Sequence, residues 1–138
     1  MPEISFDGLE GLMLSMKEIS VIPDEVKDAM LEAQADFLAD EIRKRGEGYS
    51  VQDSGDMLAS IKKGKPKKGK NGSRQIAVSA RGRRKNGVRN SEIAFLNNYG
   101  TRHQKARPFW TDAEKASEST MSKISSEIYS DWLKSKNL

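Results

Sequence analysis

The spacing of apolar residues predicts two helices in the first third of the chain. Apolar residues recur at helical intervals between Gly8 and Ile19, which predicts a short helix within an N-terminal segment 1–22. A longer helix is predicted over 23–46, because Pro23 and two acids form a favourable N-terminus and Gly46 is suited to follow the last turn. Its expected apolar positions are Val26, Met30, Ala33, Phe37, Leu38 and Ile42.

A period of two replaces the helical period in the middle of the chain. Residues 57–61 and 74–80 are predicted to be strands, and in the second Ile76, Val78 and Ala80 alternate with more polar positions. The basic loop 62–74 between them contains the Asn71-Gly72 turn signal. The pattern therefore predicts a long, basic β-hairpin over 57–80.

The last third of the chain is predicted to be mainly helical. A second basic loop covers 81–92, and 93–96 is a short apolar segment, helical or extended, that leads to a break at Gly100. A final helix is expected over 108–134. Its apolar stripe would be Phe109, Ala113, Ala116, Ile124, Ile128 and Trp132. The predicted fold is α+β in a single domain 1–138, with a small antiparallel sheet packed against an N-terminal and a C-terminal helix.

Composition narrows the classes of protein. Hydrophobic residues are 36% of the 138 and charged residues 32%, so part of the chain is expected outside a compact core. The absence of cysteine excludes disulfides, thiolate metal sites and cysteine nucleophiles, and it suits an intracellular or virion protein. No apolar run is long enough for a membrane span, and no signal peptide is evident. We therefore expect a soluble protein that is not secreted by that route.

Charge is strongly segregated along the chain. Twelve of the 24 basic residues lie between Lys62 and Arg89, where no acid occurs, whereas the other residues carry 12 basic and 20 acidic groups. The segment is thus +12 and the remainder −8. Such a segment attracts an anionic partner, either phosphate or an acidic protein, or it simply remains solvated.

Catalytic chemistry is weakly supported. His103 is the only histidine and lies in a basic loop, so a solvated loop histidine is favoured over a catalytic one. Asp53 and Asp56 fit turn chemistry with Ser54 and Gly55 better than a metal pair. No phosphate-binding glycine motif is present. The expectation is a protein that is not an enzyme, with no cofactor and no metal.

The segment 91–110 is the most distinctive part of the sequence. Asn97, Asn98 and Gly100 have the residue types of a sharp turn, with glycine where positive φ is easiest. Pro108 is placed near the first position of the last helix, and two aromatic residues after it would bury apolar area and set the helix direction. The segment is predicted to be a structural hinge with Arg107 on its surface.

Two motifs in order resemble a family of phage proteins. IAFLNNYGT at 93–101, followed by ARPF at 106–109, is similar to the signature of the head-tail joining, or tail-completion, family of long-tailed phages. DSGDMLASI at 53–61 resembles an upstream element of that family. Met57 stands where leucine is usual, and the basic segments are longer than typical. The motif residues are Ser54, Gly55, Asp56, Leu58, Ser60, Ile61, Tyr99, Gly100, Thr101, Ala106, Arg107, Pro108 and Phe109.

The resemblance implies a structural virion protein of the phage neck. Members form a ring, usually sixfold, between the head connector and the tail terminator or tail tube, and DNA passes through it. The expected location is the virion, and the host cytoplasm during assembly. The role of the basic segments does not follow from the resemblance; our own hypothesis is that they form an arm that contacts DNA or an acidic neighbouring ring. Its residues are Lys62, Lys63, Lys65, Lys67, Lys68, Lys70, Arg81, Arg83, Arg84 and Lys85.

Two other functions remain open from the residues alone. One is a basic nucleic-acid-binding module without catalysis, for which the sequence predicts tight, salt-dependent binding. The other is a small ribonuclease toxin that uses His103 together with lysine, arginine and tyrosine side chains. An RNA-cleavage assay that compares the wild type with His103→Ala distinguishes the ribonuclease from the nucleic-acid-binding module and from the structural phage protein.

Overall fold

A computed structural model describes residues 2–6, 12–16, 22–50, 56–69, 73–83 and 87–136; for 2–6, 12–16 and residue 56 the description covers the backbone. Along these residues two strands are followed by two helices, three strands and two further helices. The elements are β1 (Pro2–Phe6), β2 (Leu12–Met16), α1 (Asp24–Gly48), α2 (Asp56–Ala59), β3 (Ile61–Lys63), β4 (Lys67–Lys68), β5 (Arg74–Ala80), α3 (Asn90–Tyr99) and α4 (Phe109–Ser135).

The strands form one antiparallel sheet around β5. Their order is β1-β2-β5-β3, and β4 also pairs with β5. Ile61 pairs with Ala80, and further along the same hairpin Lys67 pairs with Gln75. The α+β class and the long basic hairpin are therefore confirmed. The Asn71-Gly72 turn prediction lies outside the described residues.

The predicted short helix near the N-terminus is wrong, because β2 occupies Leu12–Met16. The sequence LMLSM fits a period of two as well as a helical period, so local spacing did not separate the two structures. The pairing of β2 with β5, which sets Leu14 opposite Ile76, supplies backbone hydrogen bonds that only the assembled sheet offers.

The predicted strand over 57–61 is also corrected. Met57 and Leu58 are adjacent and both buried, at 1% and 5% exposure, which suits a helical turn and conflicts with the alternation of a half-buried strand. They belong to the short helix α2, and the Ser60 hydroxyl closes the turn by donating to the Met57 carbonyl at 2.6 Å. The strand begins only at Ile61.

Strand β5 has two distinct faces, as the sequence predicted. Ile76, Val78 and Ala80 are buried, whereas the side chains between them are half-exposed. The buried face is the inner face, against which α1 packs. Arg74 extends the inner face and donates two hydrogen bonds of 2.8 Å to the Asp28 carboxylate on α1. Hydrophobic packing and a two-pronged ion pair thus attach α1 to the sheet.

Helix α1 is longer than predicted and is buried over about half of its circumference. It continues through Gly46, which is buried inside its last turns, and ends at Gly48 before Ser50 adopts a φ of 60°. Its buried residues are Lys27, Met30, Leu31, Gln34, Ala35, Leu38, Ala39, Ile42 and Gly46. This wide stripe lets α1 contact the sheet and also α4.

Helix α4 nearly matches its predicted bounds, but its buried stripe is shifted. Ala113 is fully buried as expected, whereas Ala116 is exposed, and Ser117, Met121 and Ser125 are buried in its place. Small side chains at two of these positions permit close approach to α1, the main contact of α4. Within the described residues no helix has the length and apolar character needed to cross a bilayer.

The segment 93–96 is helical, within α3. The loop before it ends earlier than predicted, since α3 already begins at Asn90. Just before α3, Arg89 forms an isolated β-bridge with Arg83. The Asn90 backbone N–H donates to the Gly82 carbonyl at 3.0 Å, and its side chain donates to the Arg81 carbonyl at 2.8 Å. These bonds anchor the start of α3 to the end of β5.

The shifted stripe of α4 is tested by paired substitutions of alanine. Ala113→Leu is expected to destabilise the protein by about 1–3 kcal/mol, since the added volume has no room in a packed core. Ala116→Leu, at an exposed position, is expected to change stability by no more than about 0.5 kcal/mol. Chemical denaturation measures both values, and equal effects would contradict the assigned orientation of α4.

Candidate functional site

The side chain of Asn98 joins α3 to the start of α4. Its Oδ1 accepts hydrogen bonds of 3.1 Å from the backbone N–H groups of Trp110 and Thr111, and its Nδ2 donates to Thr111 Oγ1 at 2.9 Å. Pro108, which occupies the N-cap position, makes no side-chain cap bond. Asn98 therefore caps α4 from a different helix, and at 2% exposure it does so out of contact with water.

Asn97 connects the end of α3 to the loop that follows. It accepts the Arg107 backbone N–H on its own carbonyl at 2.7 Å, and its Oδ1 accepts from Gln104 Nε2 at 3.1 Å and from Arg107 Nη2. Arg107 Nη1 donates to the Ser50 carbonyl at 3.1 Å. The prediction of a surface arginine is corrected: Arg107 is half-buried and ties the end of α1 to α3.

The sharp turn predicted at 97–101 is corrected in part: Asn97 and Asn98 lie within α3, and the chain leaves the helix only at Gly100. Gly100 has φ 80° and donates its N–H to the Leu96 carbonyl at 2.8 Å. Thr101 N–H donates to the Gln104 carbonyl at 2.8 Å, and the Thr101 hydroxyl accepts the backbone N–H of His103 at 3.2 Å. The His103 side chain is exposed, which confirms the prediction of a solvated loop histidine.

Two aromatic side chains fix the direction of α4, also as predicted. Phe109 and Trp110 are 0% and 3% exposed, and their ring centroids lie 5.9 Å apart at 65°. Both belong to the same core as Ile76 and Val78 of β5. Asp112 in the first turn accepts a hydrogen bond from the hydroxyl of Tyr49, just after α1. We call the residues 97–112 the α3–α4 joint.

The outward side of α3 is apolar and exposed. Phe95, Leu96 and Tyr99 are 37%, 46% and 49% exposed, and the rings of Phe95 and Tyr99 lie 4.9 Å apart. Partial burial, followed by the charge of Glu114, raises the pKa of Tyr99, and burial also raises the pKa of Glu114. We call Phe95, Leu96 and Tyr99 the α3 patch. Sequence reasoning missed its first two members, because an apolar run is ordinarily read as core.

The upstream motif is largely structural where it is described. Leu58 and Ile61 are buried in the core, and Ser60 closes the turn after α2. Helix α2, which begins at Asp56, contacts α3 and so brings the two motifs together. Ser54 and Gly55 lie outside the described residues. Both motifs therefore meet at α3.

The predicted basic arm separates into two kinds of residue. Lys63 lies on the inner side and forms a 2.9 Å ion pair with Asp36 of α1, so it is not available as an arm residue. Arg83 donates to the Gly87 carbonyl at 2.8 Å. The exposed members are Lys62, Lys65, Lys67, Lys68, Arg81 and Arg83. Lys70, Arg84 and Lys85 lie outside the described residues.

Comparison with known proteins assigns neither a family nor a function to this chain. No family model, curated protein or solved structure matches this chain. Among the residues that the structure describes, no group of three or more acidic or histidine side chains could hold a metal ion. Any assignment of function therefore depends on the joint, the α3 patch and the distribution of charge.

The capping role of Asn98 is tested by substitution. Asn98→Ala is expected to destabilise the protein by about 1–3 kcal/mol, because the N–H groups of Trp110 and Thr111 lose a buried acceptor. Asn98→Asp keeps the acceptor oxygen for both N–H groups but replaces the Nδ2 donor to Thr111, so it should recover part of this loss. Urea denaturation gives the three free energies of unfolding; an alanine variant as stable as the wild type would show that the cap is dispensable.

The conformation of Gly100 is tested with a glycine control. A Cβ at Gly100 would lie 2.7 Å from the backbone N of Ala106, and the φ of 80° is strained for other residues. Gly100→Ala is therefore expected to cost at least about 1 kcal/mol of stability. Gly48→Ala introduces a Cβ with no atom within 4 Å and should be neutral or stabilising. Thermal unfolding measures both, and the same result for the two glycines would refute the assigned turn.

Proposed function

We propose that this chain is a structural subunit of the neck of a long-tailed phage, a head-tail joining or tail-completion protein without enzymatic activity. Copies of the chain assemble into a ring, a hexamer in the virion, between the head connector and the tail terminator or tail tube. DNA passes through the ring. The proposal starts from the resemblance of the two motifs to that family, and it is supported by the arrangement of helices that the motif residues hold together.

The observation that carries the proposal is the α3–α4 joint with an apolar patch beside it. Buried amides, a half-buried arginine and a positive-φ glycine hold three helices in one arrangement. Such a joint uses its polar groups for positioning and leaves no reactive group at its centre. A ring subunit needs this property, because each subunit must present its contact surface in the same orientation.

The α3 patch is the surface we assign to contact with a neighbouring copy. Phe95, Leu96 and Tyr99 lie side by side on one helix and include two aromatic residues. Aromatic side chains are enriched at the centres of protein interfaces, where they provide large contact area at low entropic cost. The patch is directly attached to the joint, so its direction is fixed by the bonds of Asn97 and Asn98.

Self-association through the α3 patch is tested by introducing a charge. Leu96→Asp is expected to shift the assembly to monomer, with at least about a tenfold weaker association, because a carboxylate would be buried at the contact. Sedimentation velocity measures the mass distribution, and negative-stain electron microscopy shows whether rings form. Leu96 is 46% exposed, so its replacement leaves the core unchanged.

The control carries the same new charge elsewhere. Ala116→Asp lies on an exposed position of α4 and should leave association unchanged. Rings that persist in Leu96→Asp, or that disappear equally in Ala116→Asp, would refute the assigned contact. RNA cleavage by the pure protein that is lost in His103→Ala would overturn the structural proposal in favour of a ribonuclease.

A further inference from the structure

The face of β3, β4 and β5 opposite α1, called the outer face, is exposed or half-exposed where its side chains are described. Paired residues of antiparallel strands place their side chains on the same face. Lys62 pairs with Ser79 and Lys67 pairs with Gln75, and both partners alternate with the buried residues of β5. Lys62 and Lys67 are exposed, and Ala77 between their partners is half-exposed. Both lysines therefore lie on the outer face.

Arg81 adds a third cation to this face. It follows β5 in the same alternation as Ser79 and is exposed. A Cβ atom at Gly64 would lie 2.9 Å from Arg81 Nη2, so the guanidinium lies above the backbone beside Lys62. Glycine at this position leaves the space that the guanidinium occupies. Lys62, Lys67 and Arg81 together are called the outer cations.

The inner and outer cations of the hairpin differ in their pairing. Lys63 and Arg74, on the inner face, are bound by Asp36 and Asp28 of α1. Within the described part of the chain, the outer cations have no ion pair. Acids of α1 thus pair with Lys63 and Arg74, whereas no acid of the described residues pairs with the outer cations. Lys68, which is paired with Arg74 in the ladder, lies on the inner side but is exposed.

We propose that this outer face binds the phosphate backbone of duplex DNA, independently of base sequence. Lysine and arginine side chains that contact phosphates release condensed counterions, which supplies affinity without base recognition. Gln75, Ala77 and Ser79 between the cations are small or polar, so a phosphate backbone can approach the strands closely.

Two features of the outer face of β5 disfavour other partners. Protein interfaces rely on aromatic or large apolar anchors and are depleted in lysine, whereas Gln75, Ala77 and Ser79 offer no such anchor. Single-stranded nucleic acid is held largely by stacking on aromatic rings, and this part of the described face has none. The inference does not depend on the ring, because one subunit carries the whole face.

The experiment measures binding of the full chain to a short labelled DNA duplex by fluorescence anisotropy at several salt concentrations. The test variant is Lys62→Gln/Lys67→Gln/Arg81→Gln. The control variant, Lys115→Gln/Lys123→Gln/Lys134→Gln, removes the same charge from exposed positions on α4. Thermal unfolding by circular dichroism checks that both variants are folded.

The proposal predicts different salt dependences for the two variants. Each lost phosphate contact lowers the slope of log K against log salt by about 0.9, so the test variant should lose about 3 in slope. It should also bind at least about tenfold more weakly at ~0.1 M salt, while the control stays within about threefold of wild type. A control that loses as much as the test variant would show a general charge effect and overturn the proposal.

Two further results would also overturn it. A folded test variant with wild-type affinity would exclude the outer cations as the contact. Wild-type protein that binds poly-glutamate as tightly as duplex DNA, with the same loss in the test variant, would assign the face to an acidic protein. Failure of ring formation leaves this measurement unaffected, since it is made on whatever oligomer the wild type forms.

Discussion

The structure depends on the two-sided burial of α1. Leu31, Leu38 and Ile42 have no exposed surface, and they lie in a stripe wide enough for contact with both the sheet and α4. Each such side chain contributes about 1.5–3 kcal/mol when it leaves water. The positions of the hairpin, the joint and the last helix all depend on this one helix. Its acids also determine which basic side chains of the hairpin are neutralised.

The α3–α4 joint shows why amides occupy a position where apolar residues would be simpler. Three chain segments meet there, and each brings backbone N–H or carbonyl groups that no regular element satisfies. An asparagine side chain both donates and accepts, so Asn97 and Asn98 can serve two segments at once. Arg107 extends the connection to Ser50 after α1. The buried polar groups of the joint specify one arrangement of the three segments, whereas buried apolar side chains would only add apolar contact area.

The exposed apolar side chains and the outer cations lie on different elements of the fold. The exposed apolar side chains of α3 adjoin the joint, whereas the outer cations lie on the open face of the sheet. The two surfaces therefore suit different partners: a packed protein contact beside the joint and a solvated polyanion at the sheet. In the described part of the hairpin, strand alternation separates Lys63 and Arg74, which pair with acids of α1, from the outer cations.

The sequence by itself determined the features that depend on short-range chemistry. Helix α1, the alternation of β5, the positive φ of Gly100 and the burial of Phe109 all followed from local periodicity or from the conformational limits of single residue types. Only the tertiary structure decided the strand β2, the helical turn at Met57, the burial of Ser117 and the role of Arg107. For β2 and Arg107 the deciding partners, β5 and Ser50, are distant along the chain, so no local pattern contains them.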